Sequence, residues 1–305
     1  MRIVAVLMLA LVLGAGATAP TPRVVARVAT GQAPCGAAAG FGSIWVANDG
    51  AGTVVAVDPA RNRVVRTVRV GRTVCGIAIG AGSVWTVRYG AGELVRINPS
   101  TSRIRRIKVG RGPFDLLFAS GSVWVSIHDE GLLAQVDPKV NRVAVWLRLE
   151  RGTAGLAYAG NSIWVGSTAP STKIFRVDPR AHRMTAIDVG HAAPAWFTTG
   201  AGSLWVTTHD GPGELGGMLK LDPVSGAARA YVAFDGNAVQ PAFGPEGTIW
   251  VPGKAFNIVT RVDPATTKVV DVFPAGPGAY NALRAFGDMW VTSYAGTDIW
   301  RFRAG

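Results

Sequence analysis

Four residues after each of seven regularly spaced tryptophans stands a side chain that can exchange hydrogen bonds: Asp49, Tyr89, His128, Thr168, His209, Lys254 and Tyr294. The tryptophans are Trp45, Trp85, Trp124, Trp164, Trp205, Trp250 and Trp290, at intervals of 40, 39, 40, 41, 45 and 40 residues. A second recurring slot, in the loop leading into each unit's first apolar run, holds Gln32, Arg72, Arg111, Arg151, His191 and Asn237. Carboxylates near these slots are few: Asp49, Asp115, Asp129, Glu130, Asp210 and Glu214. Gathered around one opening, such a set would bind an anionic or carbonyl-rich ligand through guanidinium forks and polar donors. The expected ligand contacts are therefore Asp49, Arg72, Tyr89, Arg111, Arg151, His191, Lys254 and Tyr294.

The elements that must position these residues follow from one repeat. Residues 110–149 contain four short apolar runs separated by turn residues. Phe114 to Ala119, Ser122 to Ile127, Leu132 to Val136 and Val143 to Leu149 read as strands, with Ser120-Gly121 as a two-residue hairpin turn. Six of the seven repeats share an Asp-Pro or Asn-Pro turn, beginning at Asp58, Asn98, Asp137, Asp178, Asp222 and Asp263. The Asp or Asn side chain accepts from the backbone two residues on, and Pro presets φ. Four residues later come Asn62, Ser102, Asn141, His182, Gly226 and Thr267, a slot suited to left-handed backbone. His182 is thereby assigned to turn geometry.

Four antiparallel strands per ~40 residues, repeated seven times, predict an all-β, seven-bladed β-propeller with four-stranded blades. The seventh repeat ends after three strands. Arg23 to Ala29 resembles the fourth-strand segment Arg63 to Val70, so the N-terminal strand is expected to complete the last blade and close the ring. Residues 20–305 then form one propeller domain.

The W-V…V-D-P…V pattern over residues 31–302 resembles YVTN-type propeller repeats and the seven-bladed propellers grouped with virginiamycin B (streptogramin) lyase. The second resemblance implies a histidine base, with Mg²⁺ held by carboxylates, eliminating across the ester of a cyclic depsipeptide. The nearest candidates are His128 and His209, with Glu130, Asp129, Asp210 or Glu214 as metal or acid partners and His191 in reserve. The sequence departs from that pattern. No glutamate recurs just after the tryptophan, no histidine follows His209, and Glu246 is the one late glutamate. The reading that follows is a binding or interaction module without a cofactor, with a Mg-dependent carbon–oxygen lyase as the alternative.

The only two cysteines, Cys35 and Cys75, stand ten residues before their tryptophans in consecutive repeats, where Phe114, Ala154, Ala195, Gln240 and Tyr280 stand in the others. First strands of neighbouring blades converge on the axis, so the two sulfurs are expected to form a disulfide, two buried thiols being the alternative. Residues 1–19 read as a secretory signal: Arg2, an apolar run from Ile3 to Leu13, then Ala15-Gly16-Ala17 as a small-x-small cleavage site. The apolar run is short of the ~20 residues a spanning helix needs, and no other segment could cross a membrane. Export, as a secreted, periplasmic or cell-surface monomer, is the expected location.

The net charge is +12, with 31 Lys or Arg against 19 Asp or Glu. Many of the cations recur with the repeat ends, which suits a solvated rim better than a nucleic-acid stripe. The expected partner is a small-molecule or cell-surface ligand, anionic in character. No G-x-S-x-G elbow, H-E-x-x-H or phosphate-binding glycine loop is present.

Overall fold

In the computed structural model Ser120 and Gly121 both adopt positive φ, 49° and 77°. That is the backbone a two-residue hairpin requires to match strand twist. It joins Pro113–Ala119 to Ser122–Ile127, and Leu132–Asp137 and Arg142–Arg148 follow in antiparallel order. The expected strands of this repeat are all present, with ends shifted by about one residue.

The structure describes residues 21–209 and 215–303, and they form seven four-stranded sheets. The Asp-Pro turns are built as their chemistry dictates. Oδ1 of Asp58, Asn98, Asp137, Asp178, Asp222 and Asp263 each accepts the N–H two residues on, at 2.7–2.9 Å. The slot four residues after each has φ between 50° and 78°, His182 included. His182 Nε2 lies 2.9 Å from Gln135 Oε1, which ties one turn to the neighbouring blade.

Arg23–Ala29 pairs antiparallel with Asp298–Arg303, from Arg23 opposite Arg303 to Ala29 opposite Asp298. The N-terminal strand thus supplies the fourth strand of blade 7 and closes the ring. The proposed signal segment, residues 1–19, lies outside the described residues. Among those described, no helix is long and apolar enough to cross a membrane.

All seven repeat tryptophans are buried, six of them completely. Each removes on the order of 200 Å² from water, about 5 kcal/mol before ordering costs. In five blades the indole N–H also donates to the carbonyl five residues earlier, as Trp85 does to Gly80 at 2.9 Å. The second strands are buried almost throughout and the fourth strands are largely exposed, so the core lies between blades.

The first strands face the axis. At the position nine residues before each tryptophan, blades 1, 2 and 4 have Gly36, Gly76 and Gly155. A Cβ on Gly36 would stand 2.5 Å from the Cys75 carbonyl oxygen, and one on Gly155 would stand 2.6 Å from that of Ala195. The backbones therefore meet closely there.

Candidate ligand site at the channel mouth

The first strands of blades 5 and 6 are short, Phe197–Gly200 and Ala242–Phe243. Just before the former, Trp196 turns into the channel and is 93% buried. It stacks on Phe114 with centroids 5.5 Å apart and meets the edge of Tyr280 at 6.1 Å. Phe114 in turn meets Tyr89 at 6.3 Å, and Tyr280 meets Tyr294 at 5.3 Å. Five aromatic rings from blades 2, 3, 5 and 7 thus form a continuous wall.

That wall encloses a cavity of about 250 Å³, open at the mouth, with Cys35, Cys75, Thr73, Val87 and Pro113 completing its sides and Asp49 and Lys254 at its polar edge. A disulfide joins Cys35 and Cys75, whose Cα atoms are 5.0 Å apart, within the range such a bridge accepts. It staples blades 1 and 2 where their first strands converge.

The polar groups at the mouth hold one another in place. Tyr294 donates its hydroxyl to Asp49 Oδ2 at 2.8 Å, and the Lys254 ammonium lies 4.6 Å from the Tyr294 ring centroid and 5.5 Å from that of Tyr280. Burial, then the Asp49 carboxylate, pushes the Tyr294 hydroxyl up to about 12. Burial also raises Tyr280, and with Asp129 it raises Tyr89 to about 12. The phenols therefore stay protonated throughout the ordinary pH range, with the Tyr294 and Tyr89 hydroxyls already donated to Asp49 and Asp129.

Beside the cavity is a second cluster. His128 Nδ1 lies 2.9 Å from Asp129 Oδ1, which also accepts the Tyr89 hydroxyl, and His128 Nε2 lies 3.3 Å from Thr168 Oγ1. Hydrogen bonds from Tyr89 and then His128 hold the Asp129 carboxyl below its ordinary value. An ionised carboxylate only accepts, so Nδ1 carries the proton and Nε2 is the basic nitrogen. The imidazole stacks on Phe114 at 5.2 Å and is absent from the cavity lining.

The sequence-derived residues divide accordingly. Asp49, Tyr89, Lys254 and Tyr294 meet at the cavity. Arg72 lines a separate shallow hollow with Gly52, Thr67 and Arg69. Arg111 pairs with Glu130 at 3.1 Å and is largely exposed, so Glu130 faces a cation and His128 takes Asp129. Arg151 is exposed, and His191 stacks on Tyr231 of blade 5's outer strand at 4.1 Å. His209 Nε2 donates to the Ala238 carbonyl at 3.1 Å, so His128 and His209 are held by different partners.

Asp210 and Glu214, named as metal or acid partners, lie outside the described residues. Among those described, no three His, Cys, Asp or Glu side chains converge on one point. Among the described residues, Glu130 is tied to Arg111 and Asp129 to Tyr89 and His128, so these two carboxylates do not supply a free set of oxygen ligands beside His128 for the Mg²⁺ that the lyase resemblance implies.

Trp196, Phe114 and Tyr280 carry most of the wall. Phe114 and Tyr280 occupy the cysteine slot and are visible in the sequence by position, whereas Trp196 falls one residue beyond that slot. Its signal is that it is one of three tryptophans off the repeat, with Trp146 and Trp300.

No protein-family model matches the chain, and no curated protein matches its sequence. Solved structures share its architecture. A streptogramin B lyase is 14% identical with a TM-score of 0.76, over 90% of this chain and 94% of that one. Hydrazine synthase of Kuenenia stuttgartiensis is 12% identical with a TM-score of 0.75, over 90% and 94%. BamB of Moraxella catarrhalis is 10% identical with a TM-score of 0.65, over 93% and 100%. At these identities the likeness establishes one thing, the seven-bladed propeller fold, which hosts proteins of quite different names.

Proposed function

We propose that this protein is an exported binding module that takes a ligand with a flat aromatic or similarly apolar face into the cup at the channel mouth, its acidic or carbonyl group directed at Lys254. The observation that carries this reading is the unbroken aromatic wall from Tyr89 through Phe114, Trp196 and Tyr280 to Tyr294. Stacked aromatic contacts contribute about 0.5–1.5 kcal/mol each beyond burial, and a few convergent polar groups then fix orientation. The expectation of a cationic pocket is narrowed to one cation, Lys254, balanced by Asp49. Export is supported by the Cys35–Cys75 disulfide, since such bonds persist in oxidising compartments.

A thermal-shift titration with naphthoate, naphthalene and hexanoate tests the class. Naphthoate should raise the melting temperature most. Equal shifts with hexanoate would leave the aromatic wall without a role and sink the reading.

The His128–Asp129 pair favours a second reading, a lyase whose base is His128 Nε2. A base oriented by a carboxylate is what proton abstraction from an ester substrate requires. Turnover of a cyclic depsipeptide lactone, with and without Mg²⁺, on wild type, His128→Asn and His209→Ala decides it. Background rates in all three would leave the binding reading alone.

A further inference from the structure

The charge of this ring is confined to one side. Residues 21–149 and 276–303, which make blades 7, 1, 2 and 3, hold 20 Lys or Arg against 9 Asp or Glu; residues 150–275, blades 4 to 6, hold ten of each. The basic residues therefore do not simply recur with the repeat. The contrast is sharpest at the circumference. The outer strands Arg23–Ala29, Arg63–Arg69, Ile104–Lys108 and Arg142–Arg148 contain ten cations and no carboxylate. The other three, Met184–Asp188, Ala228–Asp235 and Lys268–Pro274, contain two cations and three carboxylates.

Protecting exposed strand edges is a common reason for placing cations there. It does not account for the asymmetry, because the edges of blades 4 to 6 manage with almost none. Some of the charge is answered internally: Glu93 takes Arg106 at 3.6 Å and Lys108 at 3.1 Å. One carboxylate for two rim cations, with Arg88 also on it at 2.6 Å, leaves the arc strongly positive.

We infer that this arc, independent of the mouth cavity, is a docking surface for a flexible anionic polysaccharide. Curvature selects the partner. Seven blades turn by roughly 50° from one to the next, so four adjacent rims face directions spread over roughly 150°. A planar membrane could meet only one or two of them, whereas a flexible polyanion can follow all four. The outer strand of blade 3 adds a sugar-compatible feature. Arg142, Trp146 and Arg148 lie on its exposed face, with Trp146 46% exposed, so that a pyranose face can stack on the indole while guanidinium forks take the anionic groups.

The probe is heparin, titrated across a salt series. Arg69→Gln/Arg105→Gln/Arg148→Gln removes three exposed charges from the arc, and Arg180→Gln/Arg183→Gln/Lys268→Gln removes three from the opposite side. The inference expects salt-dependent binding by wild type, a loss of about ten-fold or more in the arc variant and a loss within about two-fold in the other. Trp146→Ala should weaken binding without changing the salt slope. Equal losses in the two triple variants would reduce the effect to net charge and overturn the docking arc. So would the absence of heparin binding at about 0.15 M salt. Tight binding to phosphatidylglycerol vesicles that heparin fails to displace would replace the polymer with a flat membrane, and the inference would fall.

Discussion

Asp115 and Asn281 occupy the same position in blades 3 and 7 and perform the same task on the next blade. Asp115 Oδ2 accepts the Leu156 N–H at 2.8 Å, and Asn281 Oδ1 accepts the Ala37 N–H at 2.9 Å. Both line a polar chamber of about 160 Å³ beneath Trp196, with Gln240 and Gly36. The ring thus uses a charged and a neutral version of one side chain to join neighbouring blades at the axis.

The charged version carries a cost that depends on pH. Burial raises the Asp115 carboxyl from 3.8 to about 6, more than its two backbone hydrogen bonds lower it. A carboxyl whose folded value exceeds its unfolded value binds its proton more tightly in the folded state, so its contribution is most favourable below the unfolded value and declines as pH rises between the two. Asp115→Asn keeps an acceptor for Leu156. Its melting temperature relative to wild type should rise from about pH 4 to about pH 6 and then level off. A difference that stays flat across that window would contradict the assignment.

Cys35 and Cys75 close a loop across 40 residues, so their bond should stabilise the fold by about 2–4 kcal/mol. Cys35→Ser/Cys75→Ser, and reduced wild type, should both show that loss in denaturant unfolding. Alkylation followed by intact mass on the non-reduced protein should find no free thiol. An unchanged unfolding midpoint under reducing conditions would argue against the bridge.

Arg261 of blade 6 is completely buried and grips Asp271 with two bonds, 2.7 and 2.6 Å, beside Glu246 at 3.6 Å. Arg261→Met strands the carboxylates and should cost about 3–5 kcal/mol, while Arg261→Met/Asp271→Leu should recover much of it. Denaturant curves for the two variants check this. A single-variant loss under about 1 kcal/mol would mean that water reaches the pair.

Much of the architecture was legible because a repeat samples each rule seven times. The tryptophan interval, the Asp-Pro turn and the left-handed slot each recur, and Arg23–Ala29 was recognisable as the missing strand by its likeness to Arg63–Val70. The site was legible only in part. Equivalent sequence slots share a backbone position but not a partner: of the residues four after each tryptophan, Asp49, Tyr89, Lys254 and Tyr294 meet at the cavity while His209 goes to the Ala238 carbonyl. Asp129 and Glu130 are neighbours in sequence, and only the turn geometry gives the former to His128. Trp196 escaped because it lies off the repeat, where blade 5 departs from its siblings. The asymmetric rim required knowing which strands are outermost.

The central claim is a single aromatic cup with one cation at its edge, and titration with 8-anilinonaphthalene-1-sulfonate tests it most directly. This probe joins a flat aromatic system to an anion. One saturable site per chain is expected, weakened about ten-fold by Lys254→Glu and by Phe114→Ala and unaffected by Arg72→Gln. Non-saturable binding, or a single site indifferent to both Lys254 and Phe114, would contradict it.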